Sequence, residues 1–401
     1  MSRLQELIDK LCPNGVEYKP IEELCKISRG RVMSKDYIKI NNGDYPVYSS
    51  QTENNGELGK ISTYDFDGEY ITWTTDGANA GSVFYRNEKF SVTNVCGLLE
   101  VISKTILTKF LYYELSVEAV KYVNAGMGNP KLMSNVMARI RVAVPPLEVQ
   151  REIVHILDDF TLLSAELSAE LKARQKQYEY YRDKLLTFEE AESLHGYFYR
   201  QEIKWLKLKE ICKSIKDGMH NLPKNTLDKS MYPILSAQNI FNGEINFDAK
   251  RYVDEETYIK ENKRTNIEKG DVLLTIVATI GRIAVVKEKN KFLLQRSVCV
   301  LKPNELVNPY YLKFYLETNK IQNYMITNAH GSAQSGLYLN QVAEIIVPIP
   351  SMDIQNKIVT ILTNFYKITH DISEGLPAEI EARQKQYEYY RDKLLTFKEL
   401  K

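Results

Sequence analysis

The chain has 401 residues, with 53 Lys and Arg against 52 Asp and Glu, so its formal net charge is only +1. This length, with 44% hydrophobic residues, predicts two or three ordinary globular domains. No apolar run approaches the ~18–20 residues of a membrane span, and the first residues lack the apolar region of a secretory leader. The five scattered cysteines include no CxxC pair, which excludes a disulfide framework and predicts free thiols in a reducing cytoplasm.

The first 145 residues alternate short β-rich runs with a short helical stretch. Tyr70–Thr74 and Ser82–Arg86 are bounded by Gly, Asn or Asp, which is typical of strands. Phe110–Leu115 has one aromatic face, which favours a short helix, and Asn124–Lys131 is a Gly-rich loop. These features predict a first globular α+β domain over residues 1–145.

Residues 146–198 are predicted to form a long spacer helix. Apolar or aromatic side chains recur there with steps of three and four, which keeps them on one side of a helix. The stripe consists of Leu163, Leu167, Leu171, Arg174, Tyr178, Tyr181 and Leu185. A helix from Pro146 to about Glu189 would be about 60 Å long at 1.5 Å per residue. Such a length requires a partner helix to cover the stripe.

The second half of the chain has the same order of elements. β-rich runs at Asp271–Thr279 and Ile283–Lys287, a short helix at Tyr310–Thr318 and a Gly-rich loop at Asn328–Gly336 predict a second α+β domain over residues 199–350. Residues 351–401 are predicted to form a second spacer. It contains Gly375 followed by Pro377, which predicts a break between two helices.

The two spacers share an internal repeat. Ala173–Phe188 and Ala382–Phe397 are identical over sixteen residues, 209 positions apart. Upstream, Leu147–Phe160 resembles Met352–Phe365 at an offset of 205. The interiors of the two domains diverge, apart from a loose match of Gly81 and its two following residues with the segment from Gly281. We therefore predict a pseudo-twofold chain with a shared frame and different interiors.

The order of parts and four segments resemble the specificity subunit of type I restriction–modification systems. These segments are LCPNGVEYKPIEELCKI, PPLEVQREIVHILD, the duplicated RQKQYEYYRDKLL, and RTNIEKGDVLLTIVATIGR. The resemblance covers essentially the whole chain. It implies two target recognition domains, each reading one half of a split DNA sequence, separated by two long antiparallel helices that form a coiled-coil spacer and set the gap. The fold class expected is thus α+β with an internal pseudo-twofold repeat.

The resemblance also implies the partners. They are double-stranded DNA, two methylation subunits that use S-adenosylmethionine, and two restriction subunits that use ATP and Mg, with no membrane. No cofactor is expected on this chain. The residues agree, because no GxxxxGK[ST] phosphate loop is present and Asn129-Pro130-Lys131 lacks the second proline and the aromatic residue of an adenine methyltransferase motif. The dispersed histidines predict no metal site. The chain is expected to be non-catalytic.

Polar loops in each half contain side chains that can read base edges. Ordinary turns and caps use the same residue types, so both interpretations stay open here. The candidates in the first domain are Ser49, Ser50, Gln51, Asn54, Thr74, Thr75, Asn79 and Arg86. The candidates in the second domain are His220, Asn221, Ser236, Gln238, Asn239, Thr279, Arg282, Gln295 and Arg296.

The repeated helix has a seam and an outer face. Tyr178 and Tyr181, with Tyr387 and Tyr390, are predicted to pack between helices. Identical residues outside the seam suggest one surface presented to two identical partners. We therefore predict that the methylation subunits dock on this outer face. Its candidate residues are Gln177, Tyr180, Arg182, Gln386, Tyr389 and Arg391.

Charge is unequal between the two domains. Residues 15–145 carry 15 basic and 15 acidic residues, whereas residues 200–350 carry 22 and 16, a net of +6. The first domain must either concentrate its basic residues on one face or leave the phosphate contacts to a partner, and the resemblance favours the partner. We expect weak, salt-sensitive DNA binding by the lone chain and tight binding by the assembly. The alternative function is a two-domain scaffold that binds protein or another non-DNA ligand.

Overall fold

In a computed structural model, the chain is described at residues 3–124, 126, 128–188, 203–221, 228, 231–330, 336–370 and 375–400. These residues form two compact units: Met1–Glu166 with Ile380–Lys401, and Leu167–Glu379. Each unit therefore contains one of the two α+β domains, the beginning of the spacer that follows this domain, and the end of the other spacer. No helix among the described residues is long and apolar enough to cross a membrane.

The first unit is a mixed α+β structure. Its helices are α1 (Arg3–Leu11), α2 (Ile21–Leu24), α3 (Lys35–Ile40), α4 (Thr108–Glu118), α5 (Ser134–Met137) and the first part of α6 (Leu147–Leu186). Its strands are β1 (Glu17–Pro20), β2 (Cys25–Arg29), β3 (Tyr45–Tyr48), β4 (Glu57–Ile61), β5 (Phe66–Thr74), β6 (Val83–Val92), β7 (Cys96–Val101) and β8 (Arg141–Val144). Single 3-10 turns lie at Glu53–Gly56 and Ala119–Tyr122.

Six of these strands form one sheet in the order β2-β7-β5-β6-β3-β4, and β1 pairs with β8. The central pair β5 and β6 is antiparallel from Phe66–Phe90 to Trp73–Val83. One face of the sheet packs on α4 and the start of α6 through Ile71, Trp73 and Phe110, which are fully buried. This burial follows from the aromatic and β-branched residues of these strands.

The second unit repeats this plan with shorter strands. Its strands are β9 (Lys204–Lys207), β10 (Cys212–Asp217), β11 (Tyr232–Leu235), β12 (Ile240–Phe241), β13 (Glu244–Ile245), β14 (Tyr252–Val253), β15 (Val272–Thr275), β16 (Ile283–Val285), β17 (Leu293–Leu294), β18 (Val298–Pro303) and β19 (Ile346–Ile349). Its helices are α7 (Leu208–Ile211), α8 (Glu255–Thr265), α9 (Pro309–Leu316), α10 (Asn319–Thr327), α11 (Leu339–Ala343) and α12 (Met352–His370), and a 3-10 turn lies at Ala237–Asn239. The last helix, α13 (Leu376–Leu394), belongs almost wholly to the first unit.

The second main sheet has the order β10-β18-β15-β16, which corresponds to β2-β7-β5-β6. The pair β9 and β19 corresponds to β1 and β8. The α+β class and the internal repeat are therefore confirmed. One predicted strand is too long, since Asp271–Thr279 keeps strand pairing only to Thr275, after which the backbone of Ile276 turns towards Ser297 and Leu337.

The spacer predicted over residues 146–198 contains helix α6, Leu147–Leu186, and its residues 189–198 lie outside the described part of the chain. α6 is continuous over 40 residues. The second spacer consists of α12 and α13, and Pro377 lies in the first turn of α13, where its missing N–H is harmless. The tyrosines of the seam pack as predicted within each unit: Tyr178 contacts Tyr366, and the ring of Tyr390 stacks on Phe160 at 5.7 Å.

All five cysteines are free and buried. Burial raises the pKa of the Cys25, Cys96 and Cys212 thiols to about 12. These side chains fill the interior as small apolar groups, and they are not reactive thiolates at neutral pH.

Candidate nucleic-acid interface

Loops from three places in the sequence meet in the first unit. The Thr93 amide donates to the Tyr48 carbonyl at 2.9 Å, and the Thr93 hydroxyl bonds the Ser49 hydroxyl at 2.9 Å. The Thr75 hydroxyl donates to the Val95 carbonyl at 2.8 Å, and the side-chain amide of Asn79 donates to the Thr52 hydroxyl at 3.0 Å. The loop after β3, the β5–β6 turn and the β6–β7 turn are thereby held side by side.

Two further segments join these loops. The Leu132 amide donates to the Thr75 carbonyl at 2.9 Å, which brings in the Gly-rich loop that ends there. Arg31 forms a parallel bridge with Thr93, which brings in the segment after β2. We call these five segments the first loop cluster: residues 29–33, 49–56, 75–82, 93–95 and 124–132, of which residues 125 and 127 lie outside the described part.

The second unit assembles five corresponding segments in the same way. The backbone amide of Gln295 donates to the Leu235 carbonyl at 2.8 Å, just as the backbone amide of Thr93 donates to the Tyr48 carbonyl. The Ile276 amide donates to the Ser297 carbonyl at 2.9 Å, and the Leu337 amide donates to the Ile276 carbonyl at 2.8 Å. Residues 217–221, 236–239, 276–282, 295–297 and 328–337 form the second loop cluster, of which residues 331–335 lie outside the described part.

A glycine permits the closest approach in both clusters. A Cβ on Gly30 would lie 1.7 Å from the Val92 carbonyl oxygen, and a Cβ on Gly218 would lie 2.1 Å from the Leu294 carbonyl oxygen. Any other residue would push the segment that follows β2 or β10 away from its neighbour. The two clusters therefore share a backbone scaffold that does not depend on the side chains they display.

The predicted base-reading residues have very different exposure. Exposed in the two clusters are Asn54, Asn79, His220, Asn221, Gln238 and Arg296. Half-buried are Ser49, Ser50, Gln51, Ser236, Thr279, Arg282 and Gln295. Buried are Thr74, Thr75, Arg86 and Asn239.

Each buried candidate has a role inside the protein. Thr74 pairs with Cys96 in the sheet, and the Thr75 hydroxyl donates to the Val95 carbonyl. The Asn239 carboxamide accepts from the Ser236 amide at 3.0 Å and donates to the Asn246 carbonyl at 2.9 Å. Three of the four, Thr74, Thr75 and Asn239, thus hold strands and turns together in this fold and do not display polar groups to a ligand.

Arg86 is the fourth buried candidate, and its side chain is only 1% exposed. Its guanidinium stacks on the Tyr48 ring at 3.4 Å and donates to the Thr72 hydroxyl at 3.1 Å and to the Asn55 carbonyl at 2.7 Å. Burial lowers the pKa of this guanidinium. Since Asn54 and Asn55 have φ of 48° and 56°, Arg86 holds a left-handed turn in place from below.

Arg282 is half-buried and also has partners within the protein. Its guanidinium donates to the Ile240 carbonyl at 3.3 Å and lies 5.2 Å from the centre of the Phe241 ring. His220 remains exposed, although its Nε2 lies 2.6 Å from an Asp217 carboxylate oxygen. That aspartate also pairs with Arg264, so the loop that carries His220 is anchored at its base.

Several exposed polar side chains of the clusters were missed from sequence. They are Arg29, Arg31, Asn94, Lys131 and His330. Arg31 donates to the Tyr37 hydroxyl and to the Asp65 carboxylate, and both hydrogen bonds raise the pKa of its guanidinium. The matched positions of the two Gly-rich loops were an available signal for Lys131 and His330. Nothing local in the sequence brings Arg29 and Arg31 to the cluster.

The outer face of the repeated helix is the same in both copies in most respects. Tyr180 is 58% exposed and Tyr389 is 63% exposed. Each packs edge-on against the next tyrosine, with ring centroids 5.3 Å apart and an interplanar angle of 74°. Gln177 accepts from Arg174 and Gln386 from Arg383, at 3.1 Å in both cases.

The two repeated arginines differ from their expected role. Arg182 is only 7% exposed, because it pairs with Asp183 at 2.6 Å beside the Tyr178 ring. Arg391 makes the same pair with Asp392 beside Tyr387 and is half-buried. Charge reversal at these positions would therefore disturb the helix packing itself. The exposed tyrosines are the better probes of a docking surface.

The chain is similar to proteins of one kind. The family described as type I restriction modification DNA specificity domain matches residues 13–174 and 201–382. A protein of Mycoplasma pneumoniae named as a type I specificity subunit is 38% identical over 377 residues, covering 93% of this chain and 96% of that protein. A second one from the same organism is 36% identical over 357 residues, covering 85% and 97%. The crystal structure of a type I S subunit from M. genitalium superposes with a TM-score of 0.53 at 18% identity, over 95% of each chain, and therefore supports the fold.

Proposed function

This chain belongs to the type I restriction–modification DNA specificity family, and we propose that each loop cluster reads one half of a bipartite DNA sequence. The observation that supports this most directly is the pair of corresponding five-segment clusters. Their backbone hydrogen bonds match, while their exposed side chains differ. A common scaffold with different polar side chains suits two half-sites of unlike sequence. The alternative of a non-DNA scaffold has no support from the relatives.

The exposed polar side chains are proposed to contact bases. In the first cluster, Asn54 and Asn79 have the amide geometry that pairs with adenine. In the second cluster, Arg296 suits guanine, and Gln238 and Asn221 suit adenine. These residues lie on turns fixed by backbone hydrogen bonds, so they are presented with little loss of conformational entropy on binding. The buried Thr74, Thr75 and Asn239 are assigned to the support of the turns.

The chain is proposed to act without catalysis of its own, in a cytoplasmic assembly with two methylation and two restriction subunits. S-adenosylmethionine, ATP and Mg are then bound by those partners. The stoichiometry of two methylation subunits is suggested by the two similar exposed faces around Tyr180 and Tyr389, which have the same sequence.

Docking on those faces is tested with Tyr180→Ala and Tyr389→Ala combined. The variant is expected to lose co-purification with the methylation subunit, since two large exposed rings are removed from the proposed contact. Tyr64→Ala, which removes an exposed tyrosine elsewhere, is the matched control. Undiminished co-purification of the double variant would contradict the assignment.

The recognition role is tested by methylome sequencing of a host that expresses the chain with its cognate methylation subunit. We expect a new N6-methyladenine mark at a split, asymmetric motif. Replacing Asn54 and Asn79 by Ala should alter or abolish the mark through one half-site, whereas replacing Gln238 and Arg296 should act through the other. An assembled complex that leaves no new mark would reject the proposal.

A further inference from the structure

The first unit carries a basic groove beside its loop cluster, and we propose that this groove binds the phosphate backbone of duplex DNA next to the half-site. This inference rests on the proposed function and adds a positioning site to it. The groove has a volume of about 570 Å³. Its cationic side chains are Lys35, Lys39 and Lys60, in a domain whose 15 basic and 15 acidic residues balance overall.

The groove lies between helix α3 and strand β4. The Ser34 hydroxyl accepts from the Tyr37 amide and starts the helix, and Ile38 is buried beneath it. A Cβ on Gly59 would lie 2.8 Å from an Ile38 methyl group, so the absence of a side chain there lets helix and strand approach. Lys35 and Lys39 are four residues apart and therefore share one side of the helix, while Lys60 comes from the strand.

The three ammonium groups have no competing partner in the described part of the chain. All three lysines are exposed, and none forms an ion pair or side-chain hydrogen bond with a described residue. Some other lysines of the unit are paired, such as Lys109 with Asp158 at 2.7 Å and Lys121 with Glu118 at 2.6 Å. The groove wall contains one carboxylate, that of the half-buried Glu57, so its formal charge is +2.

The groove and the reading loop share a wall. Gln51 and Asn54 line the groove and belong to the loop of residues 49–56. The side-chain amide of Gln51 donates to the Glu57 carbonyl, and the buried Arg86 guanidinium donates to the Asn55 carbonyl. A phosphate bound by the lysines would therefore lie beside side chains proposed to reach base edges. Phosphate contacts of this kind fix the register of a protein on the duplex.

The lining favours duplex DNA over other polyanions. It contains three lysines, three amides, the Glu57 carboxylate, two aliphatic side chains and a glycine, but no aromatic ring on which an unpaired base could stack. Single-stranded nucleic acids are usually bound through such stacking in addition to charge. A groove whose polar lining is three lysines and three amides against one carboxylate matches the backbone of a paired duplex.

The test uses the full chain assembled with its methylation subunit and a 40-base-pair duplex, with affinity measured from 50 to 200 mM salt. One variant combines Lys35→Gln, Lys39→Gln and Lys60→Gln. A control combines Lys10→Gln, Lys104→Gln and Lys398→Gln, which removes the same charge from exposed lysines of the same unit outside the groove. The wild-type assembly should lose roughly 40-fold more affinity than the groove variant over this salt range, if three phosphate contacts each contribute about 0.9 to the slope.

The groove variant should lose affinity for cognate and unrelated duplexes by the same factor, and its methylated motif should stay the same. Arginine at the three positions should restore binding. An unchanged salt slope, or an equal change in the control, would overturn the proposal. A changed methylation motif would also overturn it, since the groove would then read bases. Failure of the proposed function looks different, because wild-type assembly would show no preference between cognate and unrelated duplexes.

Discussion

The two units are most alike at a buried glutamine that joins each recognition domain to a spacer helix. In the first unit, Gln150 accepts from the Leu107 amide at 2.8 Å and donates to the Thr105 carbonyl at 2.8 Å and the Pro145 carbonyl at 2.6 Å. Gln355 makes the same three bonds in the second unit, with Asn308, Leu306 and Pro350. Both side chains are fully buried. The junction is therefore fixed by side-chain-to-backbone bonds, which tolerate sequence change in the domain.

The units differ most in the centre of their main sheets. Trp73 and Gly97 are paired on β5 and β7, and a Cβ on Gly97 would lie 2.3 Å from the Trp73 ring. The corresponding pair on β15 and β18 is Leu274 and Cys299. A large and a minimal side chain have been exchanged for two of intermediate size. The two junctions thus keep the same glutamine, whereas this interior pair keeps only its approximate total volume.

The largest expected effect comes from breaking the shared junction. Gln150→Leu should lower the free energy of unfolding by about 5 kcal/mol, because three backbone groups lose their hydrogen bonds to the buried carboxamide at about 1–3 kcal/mol each. Gln355→Leu should have a similar effect on the second unit. Hydrogen exchange followed by mass spectrometry would assign each loss of protection to its own unit.

The exposed Gln5, which bonds Asp9, provides the matched control for these variants. Gln5→Leu should leave both protection patterns unchanged. If Gln150→Leu and Gln355→Leu differed in cost by several fold, the two junctions would not be energetically equivalent.

The next effect concerns Glu114, a carboxyl group in the first unit at the position that Tyr315 has in the second. Burial, and then the charge of Glu118, raises the pKa of Glu114 to about 8. Between pH 4.5 and pH 8 the unfolded chain releases a proton that the folded chain retains, so the free energy of unfolding falls as the pH rises through this window. The loss is on the order of 4 kcal/mol at about 1.4 kcal/mol per pKa unit.

Glu114→Gln should remove this slope and stabilise the chain at pH 8 relative to the parent. Urea unfolding at pH 5 and pH 8 measures the difference, and Glu22→Gln, at an exposed glutamate, is the control. A parent chain that is equally stable at both values of pH would show that Glu114 is ionised in the fold.

A smaller effect is expected from the exchanged sheet pair. Gly97→Ala should lower the free energy of unfolding by about 1–3 kcal/mol, since the new methyl group overlaps the Trp73 ring. The double variant Trp73→Leu with Gly97→Cys imports the pair of the second unit and should cost less than the sum of the two single changes. Thermal unfolding of the four chains gives the coupling free energy. A coupling of zero would contradict volume compensation.

Local patterns predicted the helical frame well. The bounds of α6 and the break near Gly375 follow from residue spacing and from proline, both of which act within a few residues. The exposed turn residues Asn54 and Asn79 were also found, because asparagine favours turns whatever its ligand.

Burial of charged residues was not predicted, because it depends on contacts that are distant in sequence. Arg86 lies on a strand between exposed or half-buried neighbours, and its place in the interior depends on contacts such as that with Tyr48, 38 residues away. Arg182 lies off the helix seam, but its ion-pair partner Asp183 accepts a hydrogen bond from the backbone amide of Asn319, the first residue of helix α10. The basic groove likewise combines a helix and a strand that the sequence does not connect.

The smallest expected effect concerns Tyr315, the residue of the second unit that corresponds to Glu114 of the first. The Tyr315 hydroxyl donates to the Ile346 carbonyl at 2.9 Å, so it joins helix α9 to strand β19 without a charge. Tyr315→Phe should lower the free energy of unfolding by about 1 kcal/mol, the usual contribution of one hydrogen bond. This loss should be the same at pH 5 and pH 8, and Tyr310→Phe, at an exposed ring, should show none. A loss that changed with pH would mean that the α9–β19 junction, like that of α4, depends on an ionisable group.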